Sequence, residues 1–185
     1  MANEKDSTSS KEELHGFPPI IGEEPRVLIL GSMPGVRSLE LRQYYGHPQN
    51  HFWRIICTLL DLPLPQEYQK RTAVLREAGI ALWDSIDSCR REGSLDQAIR
   101  EEQPNDVVGL LRRRPSIRLV VFNGRKAEQG FYRGMRSLYG GEVPDVMQRC
   151  SFIRLPSSSP IPTKGHKKWQ DKLAEWRVIL EYLNQ

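Results

Sequence analysis

Four short apolar runs, separated by longer polar or amphipathic stretches, restrict this chain more than any other feature. They are residues 26–31 (RVLILG), 79–83 (GIALW), 117–122 (IRLVVF) and 150–155 (CSFIRL). A strand that is apolar at successive positions shows both faces to a core, the pattern of a parallel sheet covered by helices on either side. The segments between them carry the helical period instead. Residues 50–60 set Phe52, Trp53, Ile55, Ile56, Leu59 and Leu60 on one stripe. Residues 103–113 read as a helix stopped near Pro115, residues 125–138 as another, and residues 167–182 as a last one with Trp169, Leu173, Trp176, Ile179 and Leu180 facing inward. Ser94 suits the N-cap of a short helix running toward Arg100. The alternation predicts an α/β fold, a three-layer α/β/α sandwich around a central, mostly parallel four-stranded sheet. A single domain over residues 16–185 is expected behind a flexible tail, residues 1–15, rich in Ser, Lys and Glu.

A chain of 185 residues can bury one real core. It contains no apolar run of membrane-spanning length, and its polar N-terminus lacks a signal-peptide core, so a cytoplasmic protein without a membrane partner is expected. Cys57, Cys89 and Cys150 are too scattered for a disulfide framework, a zinc site or an iron–sulfur cluster, and read as reduced, partly buried thiols. The net charge of +4 and a pI near 9.0 permit a nucleic-acid partner. Arg112, Arg113 and Arg114 are contiguous, and Arg154, Lys164, Lys167 and Lys168 flank one short loop.

Ligands of an open parallel sheet sit beyond the carboxyl ends of its strands, so the loops after the apolar runs carry the chemistry. Gly31-Ser32-Met33-Pro34-Gly35 leaves the first strand; it lacks the P-loop pattern and can be a simple turn. The next loop, Tyr44-Tyr45-Gly46-His47-Pro48-Gln49-Asn50-His51, leads into Phe52 and Trp53, which fit a core. Its rings can stack on an unstacked base, and Asn50 can hold a water or a base edge. His47 and His51 lack a third partner, so no metal is expected. Leu155-Pro156-Ser157-Ser158-Ser159-Pro160-Ile161 follows the fourth strand. Its hydroxyls and amides can bond phosphates and its apolar tip can wedge into a base stack, although it can equally be a stiff Ser/Pro connector.

Together these loops resemble the uracil-DNA glycosylase superfamily. Gly31-Ser32-Met33-Pro34-Gly35 is similar to its first motif, His47-Pro48-Gln49-Asn50-His51-Phe52-Trp53 to the H-P-x-N-x-F-W segment downstream, and Leu155-Pro156-Ser157-Ser158-Ser159-Pro160 to its second motif. Ile80-Ala81-Leu82-Trp83-Asp84-Ser85, with residues 89–95 (CRREGSL) after it, is most like the hypoxanthine-DNA (deoxyinosine) glycosylase branch. The resemblance runs from about Arg26 to the C-terminus. It implies that Met33 stands where most members carry a water-positioning Asn or Asp, and that Asn50 takes this part, as in the hypoxanthine branch. It places Tyr45 where a ring stacks on the flipped base and Asp84 where the base edge is recognised, with a turn cap as the equal alternative for Asp84. It gives Ser157, Ser158, Ser159, Pro160 and Ile161, with Lys164 beyond them, to DNA binding. Leu155 stands where the pattern often has His.

The implied reaction flips a deaminated base out of DNA, hypoxanthine first and uracil second, and hydrolyses its N-glycosidic bond to leave an abasic site. Backbone N–H groups in the loop Gly31 to Gly35 would stabilise charge on the leaving base. Asn50 would orient the water without being a strong base. No lysine nucleophile, metal or organic cofactor is expected, and the protein is expected to act as a monomer on chromosomal DNA. The competing readings are an inactive nucleic-acid-binding protein on the same fold and a hydrolase of free nucleosides.

Overall fold

A computed structural model describes residues 13–140, 144–163, 165, 166 and 168–184. Strands β2 (Val27–Gly31), β3 (Ile80–Asp84), β6 (Leu119–Asn123) and β7 (Ser151–Leu155) form one sheet in the order β3-β2-β6-β7. Every pairing in it is parallel, with Gly31 opposite Asp84, Leu30 opposite Phe122 and Asn123 opposite Leu155. The four apolar runs are therefore the strands of a central parallel sheet, and the expected α/β/α sandwich is the fold.

Successive residues of β2 face opposite cores, which is why the run is apolar without alternation. Val27 and Ile29 join Phe52, Ile55, Ile56, Leu75, Trp176 and Ile179 on one side. Those side chains come from α2 (Phe52–Leu59), α3 (Tyr68–Glu77), α7 (Trp169–Trp176) and α8 (Ile179–Leu183). Leu28 and Leu30 join Val107, Leu111, Ala127, Phe131 and Val146 on the other side. There the cover is α4 (Val107–Arg113), α5 (Arg125–Tyr139) and α6 (Val146–Arg149).

Several expectations need correction. Residues 13–15 are not tail: Glu13–His15 is strand β1, paired antiparallel with β4 (Ile86–Arg90), while residues 1–12 lie outside the described residues. With β5 (Arg100–Pro104) these strands make a second, antiparallel sheet ordered β1-β4-β5. The helix expected from Ser94 toward Arg100 is only a 3-10 turn over Asp96–Ala98, followed by β5. The helix read from residue 103 begins at Val107, where the Asp106 carboxylate accepts the Gly109 N–H at 2.8 Å and caps it. The last helix is split at Arg177 and Val178 into α7 and α8. A further short helix, α1 (Val36–Leu41), follows β2 directly. Cys57, Cys89 and Cys150 are free and buried. Among the described residues no helix is long and apolar enough to cross a membrane.

Candidate active site

The carboxyl ends of β2, β3 and β6 open into a cavity of about 450 Å³. Gly31, Ser32, Met33, Pro34, Tyr45, Asn50, Asp84, Ser157, Ser158, Ser159, Pro160 and Ile161 all line it. The structure thus gathers every sequence-predicted site residue except Lys164, which lies outside the described residues.

Asp84 closes the last position of β3 and is 4% exposed. Its Oδ1 sits where a side chain on Gly31 would be: a Cβ there would lie 2.2 Å from it and 3.0 Å from the Tyr45 hydroxyl. Glycine at position 31 is what lets the carboxyl and the phenol converge. The other oxygen, Oδ2, is buried and has no partner among the described residues. Burial, and then the charge of Asp96, push the Asp84 pKa up to about 7, while Arg91 pulls it down. A carboxyl on the cavity wall, one oxygen of it buried without a partner among the described residues, is suited to meet a ligand N–H.

The loop holding Tyr45 and Asn50 is fastened at many points. Tyr44 is 3% exposed, and its hydroxyl donates to the carbonyls of Phe17 and Pro18 at 3.0 and 3.1 Å. The indole N–H of Trp53 donates to the Tyr44 carbonyl at 3.0 Å. Phe52 and Trp53 are core residues, as expected. Tyr45 has φ 52°, a left-handed conformation that costs a residue with a Cβ about 1–2 kcal/mol. One face of its ring stacks on Phe52 with centroids 4.1 Å apart, so only its opposite face or its edge can meet a base. The Asn50 side-chain oxygen accepts the Phe52 N–H at 2.9 Å, which fixes the side chain at the head of α2; among the described residues its second lone pair and its NH₂ have no partner. His47 is exposed, and its Nδ1 accepts the Gln49 N–H at 3.2 Å. The pKa of His51 is pushed down by burial, with Lys172 and Arg54 adding to it.

Asn123 joins the loops, and the sequence reading did not single it out. Its Nδ2 donates to the Tyr45 hydroxyl at 2.8 Å and to the Ser158 hydroxyl at 2.9 Å, and its Oδ1 accepts the Ser158 N–H at 2.8 Å. The Ser158 carbonyl in turn accepts the His51 N–H at 2.9 Å. Ser158 is 1% exposed, so its side chain braces the loop rather than presenting itself to a phosphate. The same loop is held from behind by α7. The buried ammonium of Lys172 donates to the Ser159 carbonyl at 2.6 Å, and the Trp176 indole donates to the Pro156 carbonyl at 2.9 Å. Ile161 at the tip is left 57% exposed.

The loop between β4 and β5 adds a wall that the sequence reading did not include. Ser94, Leu95, Asp96 and Gln97 line the cavity, and the Ser32 hydroxyl donates to Asp96 at 2.6 Å. Arg91, 6% exposed, donates to the carbonyls of Gly93 and Pro34. Met33 turns its side chain into a small core with Ile86, Cys89 and Ile99. The basic runs are less informative than expected. Arg112 pairs with Asp145 at 2.9 Å and stacks on Tyr139 near the amino end of the sheet, and Arg154 pairs with Glu128.

Known proteins resemble this chain along most of its length. The family described as the Uracil DNA glycosylase superfamily matches residues 18–184. A protein of Methanosarcina barkeri named hypoxanthine DNA glycosylase is 42% identical over 140 residues, 75% of this chain and 87% of that one. A protein of the same name from Methanosarcina acetivorans is 36% identical over 170 residues, 90% of this chain and 98% of its own. The fold is similar to the solution NMR structure of a Methanosarcina acetivorans protein provisionally described as a uracil DNA glycosylase, with TM-score 0.73, 32% identity, and 94% and 100% of the two chains covered.

Proposed function

This chain belongs to the uracil DNA glycosylase superfamily, and from that premise we propose that it is a monofunctional DNA glycosylase that removes hypoxanthine from DNA and leaves an abasic site. The observation that carries the base assignment is the buried carboxyl of Asp84 on the cavity wall, whose Oδ2 has no partner among the described residues. An ionised carboxylate there accepts the N1–H of hypoxanthine and opposes adenine, whose N1 bears a lone pair. The two relatives named hypoxanthine DNA glycosylase support the same choice. Uracil, the second candidate, offers its N3–H in the same sense, so the two bases have to be compared directly.

The flipped nucleotide would enter between the loop of Tyr45 and the wall of Leu95 and Asp96. Extrusion costs a few kcal/mol, least for a mispaired base. Asn50 uses one lone pair on the Phe52 N–H and has the second, with its NH₂, to align a water on the sugar. As the C1′–N9 bond breaks, its electron pair leaves with the base, the water oxygen bonds C1′, and the proton that water sheds passes through solvent to the departing base, which leaves neutral. The Met33 and Gly35 N–H groups, not engaged by other described residues, are the donors available to the developing charge on the base. Asn123 and Lys172 act one layer back, holding Tyr45 and the loop of Ile161 in place.

The test is a pair of end-labelled duplexes, one with a single hypoxanthine and one with a single uracil, followed by alkaline cleavage of abasic sites. Cleavage at hypoxanthine that disappears in Asn50→Ala is the expected result. Cleavage at uracil alone would replace the substrate, and cleavage of free inosine without DNA would replace the reaction with nucleoside hydrolysis.

A further inference from the structure

Two apolar side chains stand further into solvent than any other large hydrophobic residue described, Leu95 at 58% and Ile161 at 57%. Both line the same cavity. They reach it from different sides, because the β4–β5 connection that carries Leu95 is tied to the loop after β2, while the loop that carries Ile161 is tied to Asn123 at the end of β6. Neither is a loose tip. The residues on either side of Leu95 are tied to the first loop: the Ser94 hydroxyl accepts the Val36 N–H at 2.8 Å, and Asp96 accepts the Ser32 hydroxyl at 2.6 Å. Arg91 fastens the start of the same connection to the Pro34 and Gly93 carbonyls. A leucine held outward between two anchored neighbours has little conformational entropy left to lose on binding.

We propose that Leu95 is a second apolar wedge, packing against duplex bases on the side of the extruded nucleotide opposite Ile161. The inference rests on the DNA glycosylase reading of the cavity. Removing one nucleotide from a stack leaves a gap in its own strand and an unpaired base across from it, and one side chain cannot cover both. A core role for Leu95 is excluded by its exposure. Its position on the cavity wall, continuous with the surface that carries Ile161, selects a base stack as what it meets.

The experiment places 2-aminopurine, fluorescent when unstacked, beside the lesion and follows fluorescence and single-turnover excision with wild type, Leu95→Ala, Leu95→Met and Ile161→Ala. Hypoxanthine is presented in duplex and in single-stranded form. Leu95→Ala is expected to lower the duplex-to-single-strand excision ratio by about tenfold and to lose most of the fluorescence rise, as Ile161→Ala does, with Leu95→Met restoring both. Because Leu95 is exposed, its melting temperature should not move. An unchanged ratio with unchanged fluorescence in Leu95→Ala overturns the wedge, as does a wild type that never unstacks the neighbouring base. If wild type unstacks that base and Leu95→Ala does not, yet neither hypoxanthine nor uracil is excised, the wedge stands and the proposed reaction falls.

Discussion

The two ends of the parallel sheet are finished to different standards. At the amino end no fully buried side-chain polar atom among the described residues lacks a partner. Arg26 donates to the Leu183 carbonyl at 3.0 Å, the Ser116 hydroxyl to the Pro25 carbonyl at 2.7 Å, and Arg149 to the carbonyls of Pro115 and Leu111 at 2.6 and 2.7 Å. At the carboxyl end the accounts stay open. The buried side-chain atoms without a partner among the described residues are Oδ2 of Asp84, Oγ of Ser85, Nη1 of Arg91 and Nδ1 of His51, all at or just beyond that end. An unmet buried polar group costs about 1–3 kcal/mol. Of the four residues only Asp84 lines the cavity, where a ligand could relieve the cost, whereas the opposite end contributes stability alone.

Substitutions that break this contrast should do so in a definite order. Asn50→Ala should lower excision by about 10²–10³-fold while costing the helix cap only about 1 kcal/mol, read as single-turnover rate against melting temperature. Asn123→Ala should do both kinds of damage, because it unties Tyr45 and leaves the Ser158 N–H buried and alone. A loss of about 2–3 kcal/mol in denaturant unfolding, with excision down by about 100-fold, is expected; a rate loss without a stability loss would mean that Asn123 touches the substrate itself.

Asp84→Asn separates the two currencies. The Asp84 pKa, raised from 3.8 to about 7, means that the folded state holds its proton more tightly than the unfolded chain does. Stability therefore falls as pH climbs between those values, by up to about 4 kcal/mol above pH 7. Asp84→Asn should unfold at a higher temperature than wild type at pH 8 and at nearly the same temperature at pH 4. Its excision of hypoxanthine should fall by about 10–100-fold, and the rise of rate with pH through about 7, expected of an ionised acceptor, should flatten. A variant that is no more stable at pH 8 would show that Asp84 is not a strained carboxylate.

How much of this could be read in the sequence follows the same division. The four parallel strands were legible because burial on both faces writes itself as an uninterrupted apolar run, and the loops after them followed from strand direction. The antiparallel sheet was not. Strand β5 is REEQP, with no apolar period, and Glu102 in it is held by Lys126 and Arg133 of α5. Ser94 does cap a helix, but its partner is the Val36 N–H at the start of α1, 58 residues away, a relation that local propensity cannot carry. Lys172 carries no local signal of its role, yet it is 2% exposed and fixes a loop of the cavity. Asn123 did leave a signal: a polar residue closing an apolar strand at the carboxyl end of a parallel sheet.

The smallest expected effect lies at the opposite end. Ser116→Ala removes one hydroxyl donor from the Pro25 carbonyl just before β2 and touches nothing that lines the cavity. The loss should be about 1 kcal/mol, near the net worth of one ordinary hydrogen bond, and visible as a melting temperature lower by roughly 2–4 °C. Excision of hypoxanthine should keep its wild-type rate, because β2 is held in register by parallel neighbours on both sides and cannot pass a small displacement at Pro25 up to Gly31. A rate that falls along with stability in Ser116→Ala would mean that the two ends are coupled through β2, and that the open hydrogen bonding around Asp84 depends on how tightly the amino end is closed.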